Sequence, residues 1–451
     1  MTSFSIMKKL FIVTLATLSF VACEKKNEYI TVSGQIKNHN GTNFQLIGRD
    51  IERDLKINPD GSFSDTLTKA GYYTISGQSG HYVPVYLPQG GEINIVIDDQ
   101  NPLETKFLGK DTIASVYLRE KSKLTKELQN TFNDLFEKNV SNFKSSLNEI
   151  NKKYGEFLKN YKGLPEDFIT LEERANKFID LHLKVIYPQF HYSLTGTEIK
   201  LPAEFEAEIA KIDYDNADDF SMFDEYKRLI DENFFSKFDF TNPDWNSVIG
   251  YIRSLKSENI KSHLSQFLVQ GMSAGNSFET NQILFDAIKE LSKNKELVTL
   301  AETDFLNFKK LRPEAPSPSF NFENFAGGKT SLESLKGKLV YIDVWATWCV
   351  PCLNEFPALQ ALEKEYHGKD IVFVSISVDK DKQKWIDYQK AKKLDGIQLH
   401  ADFEAEVTFS KAYTIKTIPR FILIDKNGNI INADAPRPSE PEIKKLIDDN
   451  L

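Results

Sequence analysis

The chain has 451 residues, a net charge of −9 at pH 7, 41% hydrophobic and 27% charged side chains. That length allows about two to four domains, and the composition excludes a generally disordered protein. The acidic balance argues against a general nucleic-acid surface, which needs clustered Lys and Arg.

The chain opens with Met7-Lys8-Lys9 and the apolar run LFIVTLATLSFVA, residues 10–22. A positive segment followed by such a run has the make-up of an export signal, and it falls short of the ~20 residues of a comfortable membrane span. The run ends in FVAC and gives way at once to EKKNE. A small residue directly before a cysteine at this place resembles the bacterial lipoprotein signal, with Phe20 where Leu is usual. The resemblance implies that residues 1–22 are removed, that Cys23 carries the lipid anchor and that residues 23–28 form a tether. The expected location is then the cell envelope, facing the periplasm, on the inner or outer membrane. Two or more acyl chains hold a protein firmly where one gives marginal binding. The alternative is an ordinary cleaved signal with an unrelated cysteine; either way the protein is exported.

Residues 29–111 read as β-rich. YITVSGQI, NFQLIG, GYYTISG, YVPVYL and INIVI are short, alternating or β-branched runs bounded by turn residues such as Asn58-Pro59-Asp60-Gly61. The expectation is a small antiparallel β-sandwich. It resembles the β-rich module placed ahead of a thioredoxin module in Bacteroidetes lipoproteins. Residues 112–312 change to helical spacing, as in Phe143, Leu147, Ile150, Tyr154 and Leu158. Further helices are expected over 166–187, 219–237, 244–270 and 280–311, with breaks at Gly163-Leu164-Pro165, Tyr187-Pro188 and Asn242-Pro243. The aromatic stripes there read as core. The Pro-rich PEAPSPSF predicts an extended linker over 313–319. From 320 to 451 apolar β runs alternate with helices: LVYIDVW and IVFVSISV as buried central strands, FILIDKNGNII as a hairpin, and a closing helix over 440–450. The expected whole is multidomain, ending in an α/β domain.

Residues 345–352, WATWCVPC, hold two of the three cysteines. A zinc knuckle needs four ligands, no second CxxC exists, and His367 and His400 lack ligand spacing. A staple across two intervening residues constrains little chain entropy. A reactive dithiol is the leading reading, with no metal and no cofactor. A strand ending at Trp345 and a helix beginning near Cys349 would aim unpaired N–H groups at the first sulfur, favouring its thiolate. Cys352, one turn further in, is then the less exposed, resolving thiol. Pro351 lies in the first turn, where its missing N–H is harmless.

WCVPC after YIDVWAT resembles the thioredoxin fold, more closely its TlpA/ResA-like group, over about 316–451. The resemblance implies that Asp343 is a buried acid relaying a proton to or from Cys352, and that Glu355 tunes the thiols. It also implies that Thr417-Ile418-Pro419 is the cis-proline loop, where Ile418 and Pro419 meet an extended client segment together with Trp348. Trp345 reads as core. Val350-Pro351 in place of Gly-Pro means that the redox potential cannot be copied from ordinary thioredoxin.

The implied function is an exported thiol–disulfide oxidoreductase acting reductively on protein disulfides, fed by a transmembrane electron donor. Two alternatives stay open: a binding or scaffold lipoprotein with a regulatory redox module, and a thiol peroxidase, for which Thr347 stands two rather than three residues before the cysteine.

Overall fold

A computed structural model describes residues 29–39, 43–48, 51–77 and 82–451; Cys23 and the export signal lie outside the described residues. No helix among the described residues is long and apolar enough to cross a membrane. The chain falls into two compact units, residues up to 211 with 221–226, and residues 212–220 with 227–451.

The first unit begins with β1 (Ile30–Lys37), β2 (Phe44–Gly48), β3 (Ile51–Leu55), β4 (Ser62–Leu67), β5 (Gly71–Gly77), β6 (Tyr82–Leu87), β7 (Glu92–Asp98) and β8 (Lys106–Leu108). They form two four-stranded sheets, ordered β4-β1-β7-β8 and β3-β2-β5-β6. Alternate residues such as Ile30, Val32, Tyr73, Ile75, Ile93 and Ile95 feed one shared apolar core. One pairing departs from the antiparallel expectation, because β1 and β7 run parallel. The IERDL of β3 carries no apolar alternation; it is an edge strand whose charges face solvent, with Arg53 paired to Asp65 at 2.7 Å.

Helices α1 (Ile113–Glu127), α2 (Gln129–Asn133), α3 (Val140–Asn160), α4 (Glu166–Thr195) and α5 (Ala203–Ile209) complete this unit. Ser115 of α1 exchanges 3.0 Å hydrogen bonds with both backbone groups of Tyr86 in β6. The expected break at Tyr187-Pro188 does not occur, since α4 runs through Pro188. Tyr187 and His191 hold that turn, reaching the carbonyls of Lys138 and Phe136 at 2.6 and 2.7 Å. Their burial outweighs the bond that proline removes.

Helices α6 (Ala217–Met222) and α7 (Asp224–Ser236) carry residues of both units. The second unit holds α8 (Trp245–Ser254), α9 (Glu258–Gly271), α10 (Phe278–Leu291) and α11 (Lys295–Lys310), capped by Asp244, Ser277 and Asn294 at the first, third and fourth. The helices between 112 and 312 therefore do not make one compact body, and those after 227 belong with the C-terminal domain. Periodicity marks the apolar face of a helix but not the surface that it covers.

The C-terminal domain comprises β9 (Asn321–Asn324), β10 (Lys329–Ser331), β11 (Leu339–Trp345), α12 (Val350–Glu365), β12 (Ile371–Ser377), α13 (Lys382–Lys392), β13 (Ile397–His400), α14 (Phe403–Ala412), β14 (Arg420–Ile424), β15 (Ile430–Asn432) and α15 (Glu442–Asp448). One sheet runs β10-β9-β13-β12-β11-β14-β15, with β11 and β12 parallel and β14 antiparallel to β11. The Pro-rich segment opens in a turn, with Glu314 at φ 66°, and it is no free linker. Glu314 and Ser317 donate backbone bonds to the carbonyls of Ile430 and Gly428 at 2.8 and 3.0 Å, and Ser317 also bonds the Tyr413 hydroxyl.

Glu172 of α4 is buried in the first unit and accepts from Tyr72 Oη at 2.8 Å and Lys121 Nζ at 2.6 Å. Replacing Glu172 by Ala removes the carboxylate from that ammonium and leaves it the Asn176 amide oxygen at 2.8 Å, and urea unfolding should register a loss of about 3 kcal/mol.

Candidate active site

All seven side chains of β11 are buried, so the strand delivers the chain to the site as a fixed rail. Four residues on, Cys349 is the N-cap of α12, and its Sγ accepts the Cys352 N–H at 3.2 Å. The two cysteines are joined by a disulfide, with Cα atoms 5.3 Å apart. Cys349 is 4% and Cys352 2% exposed, so the expected difference between them is small in this oxidised form. Their neighbours carry the exposed surface instead, Trp348 at 67% and Val350 at 64%.

The turn between strand and helix is held from outside. Asp379, buried just past β12, accepts the Thr347 N–H at 2.9 Å and the Thr347 hydroxyl at 2.7 Å, while Ser377 Oγ donates to it at 2.8 Å. His400 Nε2 lies 2.9 Å from the Asp379 carbonyl oxygen. Sequence reasoning missed this residue. The signal available was the polar Ser-x-Asp that closes the apolar run IVFVSISV.

Asp343 is two residues before Trp345 and therefore on the same face of β11. It is fully enclosed, and burial pushes its carboxyl up to about 8. A hydrogen bond from Ser375 opposes this shift, while the charges of Glu355 and Glu363 reinforce it. Glu355, on α12, faces neither open water nor an apolar wall. It accepts from Ser439 N and Oγ at 3.1 and 3.0 Å, with Arg437 at 3.8 Å. Glu363, half-buried two turns further along α12, is pushed up to about 7 by burial and then by Asp395. Nothing in the motif spacing marked it.

Ile418–Pro419 is a cis peptide, as the resemblance implied. Thr417, Ile418 and Trp348 line an open groove of about 770 Å³. Trp345 turns inward, fully buried and edge-on to Phe356 at 4.8 Å, which makes it core.

Between pH 3.8 and about 8 the folded chain keeps the Asp343 proton that the unfolded chain has lost. Raising pH across that window therefore disfavours folding. Asp343→Asn should remove this slope, so its advantage in urea midpoint over the parent should grow with pH and level off above about 8.

The Redoxin family model matches residues 313–447. Thioredoxin-like protein YneN of Bacillus subtilis is 37% identical over 118 residues, 26% of this chain and 55% of that protein. Thiol-disulfide oxidoreductase ResA of the same species is 26% identical over 133 residues, 30% of this chain and 73% of that protein. A solved structure of a thiol-disulfide oxidoreductase from Bacteroides vulgatus is 46% identical, covering 32% of this chain and 99% of that one, with a TM-score of 0.30. The chain thus spans about half the length of the first of these curated relatives. Its C-terminal part, residues 313–447, is a Redoxin domain of the thioredoxin-like, ResA-related thiol–disulfide oxidoreductase group.

Proposed function

We propose that this chain is an exported, membrane-anchored thiol–disulfide oxidoreductase that reduces protein disulfides through Cys349 and Cys352. The observation that carries the reading is the Cys349 sulfur at the front of α12, already receiving a helix N–H. A thiolate there is stabilised by the same N–H and by the partial positive charge of the helix end. The groove beside Trp348 and Ile418 suits an extended client segment, whose backbone pairs with the loop before Pro419.

In the reductive direction the Cys349 thiolate attacks a client disulfide. A mixed disulfide forms, and the first client sulfur leaves as a thiol on taking a proton. Cys352 then gives its proton to the ionised fraction of the Asp343 carboxyl and attacks Cys349 Sγ, and the second client sulfur leaves as a thiol on taking a proton. Two electrons pass to the client, and the chain is left with the Cys349–Cys352 disulfide present in this structure. The raised Asp343 carboxyl suits this role, because it holds the transferred proton near neutral pH. Glu355 acts on that carboxyl by its charge. Turnover needs a source of electrons, and for an exported protein we assign that role to a transmembrane thiol donor. The thiol-peroxidase alternative draws no support from Thr347, whose hydroxyl is committed to Asp379.

Cys352→Ala should accumulate client proteins bound to Cys349 and released by dithiothreitol, identified by mass spectrometry; an absence of such adducts in the envelope would sink the redox reading. The lipid anchor has a separate test. Cys23→Ser should move the chain out of the membrane fraction, and unchanged sedimentation with membranes would overturn the anchor alone.

A further inference from the structure

The client-facing tripeptide Thr417-Ile418-Pro419 is bracketed by two cations, Lys416 before it and Arg420 after it. Both lead to the helices at 245–310, within the same compact unit. Lys416 Nζ lies 2.8 Å from Asp304 Oδ2 of α11, donates to the Val269 carbonyl of α9 at 3.1 Å, and sits 5.6 Å from the centre of the Phe308 ring. Asp304 is 6% exposed, and among the described residues its Oδ2 receives no aligned hydrogen bond, so Lys416 meets it as a close ion pair without hydrogen-bond geometry. On the other flank, Arg420 Nη1 pairs with Asp434 Oδ2 at 2.9 Å. The same oxygen accepts from Ser273 Oγ, in the turn between α9 and α10, at 2.9 Å.

We propose that the four-helix segment α8–α11 is part of the client-recognition apparatus, with Asp304 and Ser273 acting as positioning residues that hold the 417–419 loop by its two ends. This rests on the oxidoreductase reading above. Ile418 packs against the apolar core of the domain, while the contacts of Lys416 and Arg420 carry the two ends of the loop toward the helices. Lys416 is itself a wall of the groove. Its stem runs from the groove to the helices, and a shift in the helices is passed to the surface that an extended client segment would meet. A small disulfide, with no peptide backbone to pair, reaches Cys349 without using that surface. The helices therefore bear on protein clients and not on the reactivity of the sulfur.

The test uses the full chain, pre-reduced, with stopped-flow measurement of its oxidation by insulin and by hydroxyethyl disulfide. Asp304→Asn keeps the shape and removes the charge. It should lower the second-order rate constant for insulin about fivefold, the loss expected for a partly exposed ion pair, and leave that for hydroxyethyl disulfide within about twofold. Ser273→Ala, which deletes the hydroxyl bond to the Asp434 carboxylate and the one accepted from the Gly275 N–H, should shift the same ratio in the same direction, and serves if Asp304→Asn does not fold. Equal losses with both disulfides, as a merely structural role would give, overturn the proposal, and so does an unchanged insulin rate. A parent chain inert toward both disulfides sinks the oxidoreductase reading and this inference with it.

Discussion

A helix cannot bond its own first N–H groups, and this chain places a cysteine where those groups point. Much of the C-terminal domain can be understood as support for that placement. The buried strand β11 fixes the starting point, Asp379 fixes the intervening turn by its bonds to Thr347, and Pro351 starts the helix without adding another orphan donor. The arrangement leaves little slack between the sheet and the sulfur. Exposure is left to Trp348 and Val350, which carry no chemistry of their own and are free to meet a partner.

Electrostatics divides the acids near the thiols into two kinds. Glu355 and Asp379 are buried but well supplied with hydrogen-bond donors. Burial, reinforced by the fields of Glu355 and Glu363 and opposed by a bond from Ser375, favours the neutral form of Asp343.

The dithiol, its strand and its helix were legible because each follows from local pattern: LVYIDVW is buried residue for residue, and CVPC opens the helix that the proline suggests. The cis-proline loop was legible through resemblance. What escaped were partners distant in sequence. Asp379 meets Thr347 across 32 positions, and Lys416 meets the Val269 carbonyl across 147. Neither leaves a period or a motif. Charged β3 hid for the opposite reason, since an edge strand signals itself by lacking the alternation that reveals its neighbours. Pro188 was over-read, because local cost was weighed without the burial of Tyr187 and His191.

The run of prolines at 313–318 has the composition of a spacer but is bonded to the hairpin as an additional edge. Ala315 accepts from the Ile430 N–H, and Pro316 bridges to Asn429. Cutting there would strip a bonded rim from the sheet and leave carbonyls at Gly428 and Ile430 without their donors. The redox part is consequently not a cassette that can be lifted out at its most flexible-looking seam. An excision that respects the hydrogen bonding has to begin upstream of Glu314, and evolutionary shuffling of this domain would face the same boundary.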